Sequence, residues 1–374
     1  MASEQEIIAA LRLINTYKVG ASKFYQLVDE YGTPANAVSA LEKNAKYKPW
    51  PAEKAKEELN KAKSLGVFIL LYSDDEYPNI LRYSDNAPPV LYAKGNLEAL
   101  HFEKSIAIVG GRAASTNGRK TAAKIAKELT ECGVCVVSGM AKGIDTSAHK
   151  GAMYANNETG STIAVLGTGV DIIYPPENKD VYEQIIKQGC VLSEFPLGTM
   201  PLASQFPQRN KIVAAMSNGV LVVEAGVNSG SLITAKFAAE MKKTLFAVPG
   251  TPGESRAQGS NMLIKKGAIL VEDASDILPF LKGNKNVVPP QLNLIKQKNL
   301  VFENNDVNYS ENIIEDDTSK SLVSLITVDG VYVDELIRLT GKDASTIALE
   351  ILELELNGVA ERRPGNKVAL TIQN

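Results

Sequence analysis

The chain has 374 residues, a formal net charge of −3, 44% hydrophobic residues and three cysteines. That length suits two or three domains, and the near-neutral charge excludes a uniformly basic nucleic-acid binder, so any polyanion site has to be a local patch. No apolar run approaches the ~20 residues needed for a membrane span, and the absence of a signal peptide points to a reducing, cytoplasmic location.

From Ser3 to about Lys63, apolar residues recur three and four apart: Ile7, Ala10, Leu11 and Ile14, then Phe24, Leu27 and Val28, then Val38 and Leu41. This predicts short helices separated by turns at Lys18-Val19-Gly20 and Tyr31-Gly32-Thr33-Pro34. The Val-Gly turn before a helix from Ser22 resembles a helix-hairpin-helix, whose amides can hold a DNA phosphate. A plain helical cap on the next domain is the alternative. Residues 1–65 are therefore expected to form a helical domain.

The pattern changes at Val67. Apolar runs at 67–71, 90–92, 106–109, 134–137, 162–166, 191–192, 220–223, 244–248 and 268–271 alternate with helical patterns. Such alternation predicts an α/β domain over residues 66–283, with an extended Rossmann-like, mostly parallel sheet. Several runs are apolar throughout, as in strands covered on both faces.

Two strand-to-helix junctions carry the chemistry. The run 106–109 enters Gly110-Gly111-Arg112 ahead of a helix from about Asn117 to Glu131. The run 134–137 enters Ser138-Gly139-Met140-Ala141-Lys142-Gly143-Ile144-Asp145 ahead of a helix near Thr146. Gly, Ser and basic residues at the carboxyl edge of a parallel sheet point to a phosphate-bearing ligand on helix N-termini. Arg112 stands where a dinucleotide pyrophosphate would need glycine, and G-x-G-x-x-G is missing, which disfavours NAD; no cofactor is expected.

Residues 284–318 are rich in Lys, Asn, Pro and Asp and read as a flexible linker. Over residues 319–374 the pattern predicts three helices, one including Leu322, Val323 and Ile326, one from Val333 to Leu339 and one from Ala344 to Leu356. A hairpin with a basic tip between Arg363 and Lys367 follows, which makes a winged helix.

Taken together the motifs resemble the DNA-processing protein A family, DprA or Smf. They are Val109-Gly110-Gly111-Arg112 with Ser115 and Gly118; Ser138 through Asp145 with Ala148-His149; Ser193-Glu194; Phe206-Pro207-Gln208-Arg209-Asn210-Lys211; Ser229 through Ala235; and Val248-Pro249-Gly250. The resemblance implies a homodimer that binds single-stranded DNA and loads the RecA recombinase onto it in natural transformation, without catalysis. It also implies DNA contacts at Arg112, Phe206 and Arg209. The family's FPxRNR pattern ends here in Lys211, which lacks the planar fork of arginine, and Ala203 occupies a position that is basic in some relatives.

An unpaired strand offers a phosphate per nucleotide and an open base face, so its binder wants cations, amide donors and an aromatic platform. Arg112, Lys142, Arg209 and Lys211 supply the charge and Phe206 the ring. The Ser138-Gly139 and Ser229-Gly230 turns, with Asn210 and Thr234, complete the candidate set.

Plainer readings stand beside these. Arg112 could pair with Glu194 or Glu224, and Phe206 could be core. Asp145 reads as an N-cap for the helix from Thr146, and His149 as a packing residue that also hydrogen-bonds, rather than an acid–base or metal pair. Cys132 and Cys135 lack the second pair that zinc or redox chemistry would want. Lys120, Lys124 and Lys127 read as a solvated helix face. The alternative function is a nucleoside-monophosphate hydrolase using Glu194 and Glu224, against which the PGGxGT signature is absent. A further possibility is duplex binding by the winged helix through Arg362, Arg363 and Lys367, opposed by Glu350, Glu353 and Glu355; a protein-interaction role for that domain is the other reading.

Overall fold

A computed structural model describes residues 2–44, 46–155 and 162–281, and in the C-terminal part residues 326, 331–340, 347, 351, 354, 360–363 and 366–370. The chain divides into two compact units, residues 1–302 and 303–374.

Four helices open the first unit: α1 (Glu4–Ile14), α2 (Ala21–Tyr31), α3 (Pro34–Glu42) and α4 (Ala52–Ser64). Two of their starts are written in the sequence. Ser3 caps α1 in a reciprocal box with Glu6, and Thr33 caps α3 with Pro34 at the first helical position.

The sheet then builds from β1 (Phe68–Leu71), followed by α5 (Asn79–Arg82), β2 (Val90–Gly95) and β3 (Lys104–Val109). Next come α6 (Thr116–Glu131), β4 (Val134–Ser138), α7 (Ile144–Met153), β5 (Thr162–Val165), α8 (Lys179–Gln188) and β6 (Cys190–Ser193). It ends with α9 (Gln205–Ala215), β7 (Gly219–Val222), α10 (Ser231–Glu240), β8 (Thr244–Ala247), α11 (Gln258–Lys265) and β9 (Ile269–Leu270).

The strand order is β1-β2-β6-β5-β4-β3-β7-β8-β9. From β6 to β9 every pairing is parallel, while β1–β2 and β2–β6 are antiparallel. The order reverses at β3, whose neighbours are β4 and β7, so the topological switch point lies between β3 and β7. Strands β4, β5, β6 and β7 are buried at every position, as their apolar sequence requires.

The N-terminal helices do not close a core of their own. Leu11, Phe24, Leu27, Val38 and Leu59 share one buried cluster with Ile69 and Leu71 of β1, Val90 and Tyr92 of β2, and Ala164 of β5. Two further clusters lie between the sheet and its helices, one around Val109, Val137, Leu192 and Ile212, the other around Ile108, Ile125, Val136 and Leu221.

In the second unit, β10 (Val331–Tyr332) leads into α12 (Val333–Thr340), and β11 (Ala360–Arg363) and β12 (Lys367–Leu370) form the hairpin. The antiparallel order is β10-β12-β11, with a core of Ile326, Leu336, Ile347, Ile351 and Val368. The predicted second helix and the hairpin are present. The predicted linker, most of the flanking helices and the Pro364-Gly365 tip lie outside the described residues.

Candidate nucleic-acid interface

Both helix N-termini expected to receive phosphate are already filled by the protein's own carboxylates. At the β3–α6 turn, Ser115 caps the helix, its hydroxyl accepting from the Gly118 N–H at 2.9 Å. Glu224, just beyond β7, accepts from the Ser115 N–H at 2.8 Å and from the Ser115 hydroxyl at 2.5 Å. A Cβ on Gly118 would collide with that carboxylate, so glycine is needed there. An anion thus sits on the positive end of α6 at the switch point, and it comes from within the chain.

The second junction is built alike. Helix α7 starts at Ile144, after Gly143 takes φ +83°. Asp145 therefore lies in the first turn, which corrects the expected N-cap of a helix from Thr146. Its buried carboxylate reaches back to accept from the Gly139 N–H at 3.2 Å and the Ala141 N–H at 3.3 Å. Burial pushes its pKa up, while Arg209 and these amides pull it down.

Among the described residues a ligand-sized space lies elsewhere, over the carboxyl ends of β4 and β5, as a cavity of about 280 Å³. Arg112 from the first junction, Gly139 and Lys142 from the second, Gly167 after β5, and Phe206 and Arg209 of α9 converge on it. The guanidinium carbon of exposed Arg112 stands 5.5 Å from the centroid of the half-buried Phe206 ring, and that of Arg209 stands 5.8 Å from it. Both fall within the ~6 Å over which a cation is drawn to a ring face.

The two arginines differ in kind. Arg112 is exposed, and among the described residues it forms no ion pair with Glu194 or Glu224. Arg209 is only 5% exposed and forms the cavity floor. Its guanidinium donates to the carbonyls of Gly139 and of Val165, the latter at 2.9 Å, and its Nε donates to the Asn210 side chain at 2.9 Å. Burial pulls its pKa down, with Asp145 opposing. A Cβ on Gly139 would strike the Arg209 guanidinium, so this turn glycine makes room for the arginine.

Other expected contacts are moved or withdrawn. Ser138 and Thr234 are buried, and the Ser138 hydroxyl donates to the Ile108 carbonyl at 2.6 Å, so neither side chain is offered to a ligand. Asn210 donates to the Gly230 carbonyl at 3.2 Å, tying the 228–231 turn to α9. Within that turn the Ser229 and Ser231 hydroxyls pair at 2.7 Å, and the N–H groups of Leu232 and Ile233 bond to the carbonyls of Ser229 and Gly230. The hydroxyls of this candidate turn and the first amides of α10 are thus engaged within the turn itself.

Lys142 borders the cavity but pairs with Glu177 at 2.5 Å, both side chains being exposed. Lys211 does not join the others. At ~3.6 residues per turn, positions 206 and 209 share one side of α9, while 208 and 211 look the other way. Lys211 accordingly lines a second cavity, of about 140 Å³, with Gln208 and Glu194. Burial pushes the Glu194 carboxyl up to about 7, with Lys211 opposing.

Sequence reasoning misses two contributors. Tyr174, before a cis Pro175, packs its ring 5.7 Å from Phe206 and walls the first cavity. No periodicity marks it. Gly167 lies under the Phe206 ring, where a Cβ would come within 3.0 Å, and its one signal is a glycine directly after an apolar run.

His149 is a packing residue that also hydrogen-bonds, as expected. It is fully buried with Nδ1 2.7 Å from the Thr162 hydroxyl, which itself donates to the Val136 carbonyl at 2.7 Å. Burial pulls its pKa down to about 3. Cys132 and Cys135 are both free, one exposed and one buried. Among the described residues no His, Cys, Asp or Glu cluster is arranged to hold a metal ion, and no helix is long and apolar enough to cross a membrane.

Residues 68–282 match the family model for DNA recombination-mediator protein A. Residues 4–61 match a DprA-like N-terminal HHH domain and residues 311–366 a DprA winged helix domain. Protein Smf of Synechocystis is 34% identical over 315 residues, covering 79% of this chain and 78% of that one. The X-ray structure of DNA processing protein A from Streptococcus pneumoniae superposes with a TM-score of 0.62 at 34% identity, over 75% of this chain and 99% of that one. DNA processing protein A from Helicobacter pylori, described for its unique single-stranded DNA binding mode, superposes with a TM-score of 0.52 at 29% identity. That match covers 57% of this chain and 94% of the other.

Proposed function

Because the chain belongs to the DNA recombination-mediator protein A family, we propose that it binds single-stranded DNA in the cavity between Arg112 and Phe206. The observation that carries this reading is the convergence of two guanidinium groups on one half-buried ring, 5.5 and 5.8 Å from its centroid. A base stacks on Phe206, exposed Arg112 meets the adjoining phosphate, and buried Arg209 holds the Gly139 turn and the ring in place. Lys142 contributes charge once a phosphate competes with Glu177. Contacts to the backbone through helix N-termini are left out, since Glu224 and Asp145 occupy them.

The wider role follows the resemblance of the whole chain: a cytoplasmic homodimer that passes its strand to the RecA recombinase in natural transformation, without catalysis. The hydrolase alternative has less support. Glu224 is engaged by Ser115, and Glu194 faces the second cavity, so the two carboxylates do not share a site.

Fluorescence anisotropy with single- and double-stranded oligonucleotides of equal length tests the proposal. Tighter binding of the single strand is expected; equal affinity, or none, would overturn it.

A further inference from the structure

Helix α9 serves two cavities. Gln208, Lys211, Ile212 and Ala215 recur at helical spacing on the flank away from Phe206 and border the smaller one, closed opposite by the 84–88 loop. Glu194, following β6, completes its wall. Among the described residues this half-buried carboxylate forms no hydrogen bond and no ion pair within 4 Å, and burial raises its pKa to about 7 against the pull of Lys211. In a half-buried carboxylate met only by the longer-range attraction of Lys211 the desolvation cost is offset in part, so a ligand bringing two donors gains more there than on an open surface. Asp85 adds a second acid against the single lining cation Lys211, which makes the cavity unsuited to phosphate and suited to a donor-bearing edge.

We propose that this cavity takes a guanine base from the strand that occupies the first cavity, with Glu194 accepting from guanine N1–H and its exocyclic amine. The inference rests on the proposed single-strand binding. Guanine fits because it alone among the four bases presents two adjacent donors on its pairing edge, the pattern a carboxylate accepts with both oxygens. Lys211 and the Gln208 amide supply donors for the O6 and N7 acceptors. A nucleobase is favoured over a protein side chain because only the ~10 Å width of one helix separates the two cavities, so neighbouring nucleotides can occupy both.

The test compares a thymidine oligonucleotide with versions carrying one guanine, or one hypoxanthine, at each position in turn, using the full chain and Glu194→Gln. Hypoxanthine lacks the exocyclic amine. The wild-type chain should bind the best-placed guanine about tenfold more tightly than thymidine alone, the discrimination of one bidentate pair. Hypoxanthine should lose most of that gain, and Glu194→Gln all of it while binding plain thymidine unchanged. Thymidine binding with no guanine preference would overturn the inference and leave the single-strand reading intact. Equal weakening of every oligonucleotide by Glu194→Gln would overturn it too, as would capture of an arginine peptide in its place. Failure to bind any oligonucleotide would instead remove the single-strand reading itself.

Discussion

Glu224 holds Ser115 through both the backbone N–H, at 2.8 Å, and the hydroxyl, at 2.5 Å. In an open parallel sheet the switch point is where ligands ordinarily dock, and here a strand-end carboxylate has taken that place. The fold's ready-made anion site is therefore converted into a brace between β7 and α6.

Removing the brace should cost stability. Glu224→Ala leaves the Ser115 donors and the positive end of α6 without their anion, a loss of about 1–2 kcal/mol. Thermal or urea denaturation of the variant against wild type measures it. An unchanged midpoint would show that water replaces the carboxylate at no cost.

Arg112 and Arg209 should separate cleanly by assay. Arg112→Ala is expected to keep its melting temperature but lose single-strand affinity, with the slope of log affinity against log salt falling by about 0.7 for the phosphate given up. Arg209→Ala should instead unfold more easily, by about 3 kcal/mol, because it strips the buried carbonyls of Gly139 and Val165 of their donor and leaves Asp145 without its facing cation. Denaturation curves beside salt titrations distinguish the two; equal melting temperatures would contradict the floor role of Arg209.

Phe206→Ala should weaken binding by about 1–3 kcal/mol, the worth of one base on one ring, without altering the salt slope. Phe206→Trp should retain affinity. Isotherms at two salt concentrations suffice, and a changed slope would mean that the ring acts by positioning Arg112.

Glu177→Gln frees Lys142 from its exposed partner. The variant should bind single strands more tightly and with a salt slope steeper by about 0.7, one additional neutralised phosphate. Unaltered affinity would place Lys142 off the strand's path.

Buried His149 and half-buried Glu194 pull the acid response in opposite directions. His149, held at about 3 in the folded chain, takes up a proton on unfolding below its ordinary pKa of about 6.5, so its contribution weakens stability as pH falls from 6.5 toward 3. Glu194, raised to about 7, is more readily protonated folded than unfolded, so its penalty grows as pH rises from about 4.5 to 7. Glu194→Gln should therefore match wild type at pH 4.5 and exceed it at pH 8 by up to about 3 kcal/mol. Urea denaturation at the two values checks the difference, and a gain at acid pH alone would reverse the assignment.

Much of this organisation is legible in the chain itself. Fully apolar runs such as 134–137 announce strands covered on both faces, and Ser3 with Glu6 announces the start of α1. The grouping of Arg112, Phe206 and Arg209 follows from glycine-rich strand ends and a family pattern. What escapes is direction. A motif string cannot tell which flank of a helix a residue takes until the helix start is known, so Lys211 groups with Arg209 in the sequence though α9 turns it the opposite way. Nor does a glycine-rich junction reveal whether its amides wait for a ligand or are met by an acid far along the chain, as Ser115 is met by Glu224 across 109 positions. Tyr174 is invisible for a third reason: its loop has no period to read.

The shared core of α1 to α4 with β1 and β2 bears on how the protein can be cut. A fragment beginning at Val67 would bare Ile69, Leu71, Val90 and Tyr92, all buried in the intact chain, and invite aggregation through that face. Shortened forms meant for crystals or titrations are better begun ahead of Ser3, so that the opening helices travel with the sheet they roof.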